Sequence, residues 1–69
     1  MRLSEVEVGS TVRVKSVKNR RLQEMGFVKG TIVKILRKAP LGDPIEFEVK
    51  GYKISLRKNE ADNIEVEAV

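Results

Sequence analysis

Apolar and polar residues alternate along most of this chain, with the period of β-strands. Val12, Val14 and Val17 mark a first strand, with Arg13 and Lys15 facing the other way. A second apolar stretch opens after Gly30-Thr31 and runs from Ile32 to Leu36. It is nearly continuous, which predicts the most deeply buried strand. Gly30-Thr31-Ile32-Val33-Lys34-Ile35 loosely echoes Gly9-Ser10-Thr11-Val12-Arg13-Val14, but two copies do not make a repeat protein. Both read as a glycine turn feeding a strand.

The clearest pattern lies further along. Ile45, Phe47 and Val49 alternate with Glu46 and Glu48, and Tyr52, Ile54 and Leu56 alternate with Lys53, Ser55 and Arg57. A two-residue turn at Lys50-Gly51 pairs Val49 with Tyr52, Glu48 with Lys53, Phe47 with Ile54 and Ile45 with Leu56. A slip of one residue would mix the faces, so this register is the expected one. Ile64 and Val66, with Glu65 and Glu67 outside, define a last strand.

Helical signals are few. Ser4-Glu5-Val6-Glu7 matches a capping box followed at once by Gly9, room for a single turn with Ser4 as its cap. From about Asn19 to Met25 a short helix is predicted, with Asn19 as N-cap and Gly26 just past its end. Leu22 and Phe27 then form the apolar pair of a Schellman ending. Arg20 and Arg21 in the first turn oppose the helix dipole, as solvated charges or as a binding feature. Arg57 to Asp62 reads as one tight helical turn. Together these elements predict a mainly β fold, a small closed or nearly closed antiparallel barrel of about five strands with one or two short helices. A closing strand at each end of the chain would protect the sheet edges, with residues 1–69 as a single domain.

Composition removes most catalytic readings. In 69 residues there is no cysteine and no histidine, so disulfides are excluded and soft-metal sites lose their preferred ligands. No cofactor is expected. The serines lack a histidine partner, and no glycine-rich loop leads into a helix to cradle phosphate. Glu46 and Glu48 share a strand face, but one that carries Lys53 and is expected to be wet. No apolar run nears the ~20 residues of a membrane span, and Met1-Arg2-Leu3-Ser4-Glu5 holds no signal-peptide core. A cytoplasmic, non-enzymatic domain is expected.

The formal charge of +4 is modest. Lys15, Lys18, Arg20 and Arg21 gather near the helix, and Lys50, Lys53, Arg57 and Lys58 near the hairpin. Acids interleave with them, and Phe27, Phe47 and Tyr52 are assigned wholly or partly to the core. Base stacking therefore lacks its platform, and no specific nucleic-acid partner is expected; an accessory barrel that binds nucleic acid or serves a repressor is the alternative reading. Proline-rich peptide recognition fails for the same shortage of aromatics. What remains is Ala39-Pro40-Leu41-Gly42-Asp43-Pro44, a stiff loop with Leu41 between two prolines. Leu41 either anchors in a partner's pocket or folds back to plug the barrel; the pattern leaves both open.

Three blocks then carry a resemblance: Leu22-Gln23-Glu24-Met25-Gly26-Phe27-Val28-Lys29-Gly30-Thr31, the 39–44 loop, and Gly51-Tyr52 with Leu56-Arg57. They resemble the FeoA family of bacterial ferrous iron transport proteins, over Leu3 to Val66. The resemblance implies a cytosolic SH3-like barrel, similar to the carboxy-terminal domain of iron-dependent repressors. It also implies a role on FeoB, a membrane ferrous iron transporter with a cytosolic GTPase domain. The segment between Val17 and Leu22 is shorter than in many members. Motif positions carried over are Leu22, Gly26, Gly30, Pro40 to Pro44 and Arg57. With the basic helix, the expected docking residues are Arg20, Arg21, Leu22, Pro40, Leu41, Gly42, Asp43 and Arg57. The family's association with transition metals is set against a chain with no histidine or cysteine, and a tight ferrous site is not expected. Recruitment to the inner face of the membrane by the partner, without insertion, and weak self-association are both compatible with the sequence.

Overall fold

A computed structural model describes residues 1–69. Five strands form one antiparallel sheet: β1 (Thr11–Val17), β2 (Ile32–Lys38), β3 (Ile45–Val49), β4 (Tyr52–Leu56) and β5 (Ile64–Ala68). Two short helices join them, α1 (Arg20–Glu24) between β1 and β2 and α2 (Lys58–Ala61) between β4 and β5. The strand order is β4-β3-β2-β1-β5. The sheet coils around its core but does not close, because β4 and β5 end as its edges and are not hydrogen-bonded to each other. That corrects the expectation of strands at the chain ends sealing a barrel.

The hairpin register is the one that alternation demands: Ile45 opposes Leu56, Phe47 opposes Ile54, Glu48 opposes Lys53 and Val49 opposes Tyr52. Positive φ at Lys50 (52°) and Gly51 (84°) makes this a type I′ turn. Its twist matches that of the flanking strands. In β1 the register shifts between Val14 and Ser16. The extra residue re-aims the strand, so Val12, Val14 and Val17, despite the three-residue step, all pack on the core.

α1 begins and ends as its caps predict. The Asn19 side chain accepts the Leu22 N–H at 3.3 Å. At the other end Phe27 N–H donates to Leu22 C=O (3.1 Å) and Gly26 N–H to Gln23 C=O (3.0 Å), the two bonds of a Schellman motif. Gly26 sits at φ 112°, a left-handed conformation that favours glycine, while a Cβ there would make only an ordinary contact with Val49 Cγ1 at 3.4 Å. The motif delivers Phe27 to the centre of the core, edge-on to Phe47.

Four further expectations need correction. Ser4 does not cap the first turn: its hydroxyl is buried and donates to the Asp62 carboxylate, while Arg2 N–H donates to Glu5 (2.8 Å). The most buried strand is β3, not β2, since β2 alternates and leaves Ile32 45% exposed. β2 also runs on to Lys38 rather than stopping at Leu36. Tyr52 is 74% exposed and lies outside the core, at the turn end of an edge strand with no strand paired beyond it.

Candidate docking surface

The proline loop is held from both sides. Gly42 N–H donates to Ala39 C=O (2.7 Å), and Ala39 N–H donates to Pro44 C=O (3.0 Å). Asp43 and Pro44 are joined by a cis peptide bond. Leu41 stands at the tip and is 96% exposed, which excludes the plug reading. An apolar side chain kept in water on a closed, hydrogen-bonded turn loses little freedom on docking.

Hydrogen bonds tie this loop to α2, and α2 to α1. The Asp43 carboxylate accepts Lys58 N–H at 2.8 Å, satisfying an orphan donor in the first turn of α2. Arg57, the residue before that turn, gives its own N–H to the Glu60 carboxylate at 3.0 Å. Glu60 also takes a hydrogen bond from the Arg21 guanidinium, which bridges α2 to α1. The Arg21 hydrogen bond, then the Arg57 N–H, hold the Glu60 carboxyl below its ordinary range. Asp43 thus links the loop to α2, and the Arg21–Glu60 pair links α2 to α1.

Of the expected docking residues, Pro40, Leu41, Gly42 and Asp43 share the loop, Arg57 precedes the α2 turn that Asp43 caps, and Arg20 and Arg21 stand on α1, which reaches α2 through the Arg21–Glu60 pair. Arg20 is 90% exposed and makes only a 3.9 Å helix-face pair with Glu24, which holds it weakly. Arg21 is half committed to Glu60. The Asp43 carboxylate is engaged as a cap. Leu22 has no accessible surface: it is the Schellman partner of Phe27, so it is withdrawn from the docking set. The family motif carries no burial information at that position.

Glu60 is the residue that sequence reasoning missed. Its spacing from Arg57 is visible in the sequence, but its bridge to Arg21 joins positions 39 apart, and no local pattern reports it. Elsewhere, a surface cleft lined by Arg2, Ser16, Lys18, Asp62, Asn63 and Glu65 has no apolar side chain, unlike a pocket for an organic ligand. No three carboxylates converge to hold a metal ion.

An open, coiled five-strand sheet with one core, short helices and a projecting apolar loop defines a small SH3-like domain. The FeoA domain family matches residues 1–68. The chain belongs to the FeoA family.

Across 74 aligned residues it is 39% identical to the Fe(2+) transport protein A/Fe(2+) transporter FeoB fusion protein of Porphyromonas gingivalis, covering 100% of this chain. It spans only 9% of that relative's length. The solution structure of the FeoA protein from Chlorobium tepidum superposes with a TM-score of 0.92 at 43% identity, covering 100% of this chain and 70% of that one. The zinc complex of Stenotrophomonas maltophilia FeoA, described as a prokaryotic SH3 domain protein, gives 0.88 at 36% identity over 97% of this chain and 89% of that one.

Proposed function

We propose that residues 1–69 act as one accessory domain that docks on the cytosolic part of a FeoB-type ferrous iron transporter and modulates its activity or assembly. The observation that carries this reading is Leu41, 96% exposed at the tip of a loop fixed by its own hydrogen bonds and by the Asp43–Lys58 bond. Support comes from a relative that carries both FeoA and FeoB in one polypeptide. There the two parts are held at high effective concentration by covalent linkage. Where the two parts are not so linked, the contact rests on affinity alone, and truncating a desolvated hot-spot anchor costs about 2 kcal/mol or more. Ferrous iron is the transporter's cargo, and this domain performs no chemistry on it. The domain works in the cytoplasm, at the inner face of the membrane when docked.

The test is Leu41→Glu. A substitution this exposed should change stability by less than about 0.5 kcal/mol, and co-purification with FeoB from membranes should be lost. A variant that remains folded and still co-purifies would remove Leu41 from the interface.

A further inference from the structure

The two edges of the sheet differ. Along β5, Arg2 bridges Glu65 and the Val66 N–H donates to Met1 C=O at 2.7 Å, so chain already lies there. Along β4 there is no further strand and no bridge. In a two-residue I′ hairpin the residues flanking the turn, Val49 and Tyr52, exchange hydrogen bonds, and the pattern alternates from there. Ile54 and Leu56 therefore bond back to β3. The backbone N–H and C=O groups of Lys53 and Ser55 face the open edge, a template for another strand.

The side chains state which strand fits. Tyr52 (74% exposed) and the half-buried Ile54 lie on one face, and Lys53 on the other. Lys50, Lys53, Arg57 and Lys58 take part in none of the molecule's four ion pairs. The acids nearest in register, Glu46 and Glu48, belong to β3, and Glu48 already stands between Lys34 and Lys53. Lysine on an edge strand commonly discourages pairing. Here it repels a second copy of this same basic edge and favours a strand that brings carboxylates.

We propose that the β4 edge receives an extended segment of a partner protein, alternating acidic and apolar residues, as a sixth strand. Its apolar side chains lie beside Tyr52 and Ile54, and its acids beside Lys53. This adds a second contact to the docking reading and rests on that reading only for which protein carries the segment.

The probe is the peptide acetyl-Glu-Val-Glu-Thr-Glu-Val-Glu-amide at millimolar concentration, added to the isotope-labelled chain. Amide exchange at Lys53 and Ser55 should slow about tenfold or more, with Val66 unchanged. The same peptide with lysine replacing each glutamate should leave exchange unaltered. Ser55→Pro removes an edge-facing N–H at a position where an edge strand tolerates proline, and should abolish the protection. Should that variant not fold, Lys53→Glu serves instead and should reverse the preference between the two peptides. No protection, equal protection by both peptides, or protection by a second copy without peptide overturns the proposal. If FeoB co-purification persists in those cases, the Leu41 reading stands and the edge proposal alone fails. Loss of co-purification for wild type with peptide protection intact leaves the reverse.

Discussion

Replacing Phe27 by leucine tests how this small core is held. Phe27 and Phe47 are both fully buried and meet edge to face, with centroids 6.2 Å apart and planes at 85°. Leucine keeps an apolar contact to Leu22 at the helix end, so the Schellman cap survives and the ring alone is removed. The edge-to-face pair is worth about 0.5–1.5 kcal/mol beyond its burial. The void left by the ring adds to this, for a total near 2 kcal/mol, below the 3–5 typical of truncation to alanine. A domain of this size has about 3–10 kcal/mol in all. Phe27→Leu should therefore lower Tm by about 8–16 °C. Far-UV circular dichroism on Phe27→Leu, Phe47→Leu and the double variant completes a cycle, with a coupling energy of about 0.5–1.5 kcal/mol expected. Additivity within about 0.3 kcal/mol, or an unchanged Tm for Phe27→Leu, would refute the reasoning.

Three other outcomes follow. Ile54 is half-buried against the core opposite Phe47, so Ile54→Asp should cost about 1–3 kcal/mol in urea unfolding; an unchanged midpoint would contradict the register. The folded pKa of Glu60 lies below its unfolded value, owing first to the Arg21 hydrogen bond and then to the Arg57 N–H. Its contribution is thus complete above the unfolded pKa and lost as pH falls through the folded one. Glu60→Gln should flatten the acid limb of a Tm-versus-pH curve, and an identical acid limb would show that the bridge between the helices carries no stability. With no histidine or cysteine and no convergent carboxylates, anaerobic calorimetry should detect no tight one-to-one ferrous binding; a micromolar stoichiometric site would contradict the ligand argument.

The parts legible in the sequence are those set by local rules. The hairpin register followed from period-two alternation on both strands, since only one alignment keeps Glu48 against Lys53 and Phe47 against Ile54. The short helix was fixed by agreement between an N-cap at Asn19 and a Schellman pair at Leu22 and Phe27. Burial that depends on distant chain was not legible. Ile32 belongs to an apolar run, yet it stands on the outer face of an alternating central strand. Tyr52 continues an apolar alternation past the point where the core ends. Sheet closure depends on how far β4 and β5 coil toward each other, which pairwise patterns do not encode. At the candidate docking surface the stiff proline loop was readable, but whether Leu41 stands out or folds back was decided only by the structure. The Glu60–Arg21 bridge and the capping task of Asp43 are long-range contacts and left no trace in the pattern.

The central claim is that Leu41 enters a pocket on the transporter, and site-specific photocrosslinking tests it most directly. A benzophenone amino acid is placed at position 41, and in a second protein at Lys34, which is exposed in the middle of the sheet. Each is irradiated with membranes containing FeoB. The account predicts a covalent adduct with FeoB from position 41 and none from position 34. Adducts from position 34 alone, or no adduct from position 41 under conditions where the two proteins co-purify, would contradict it.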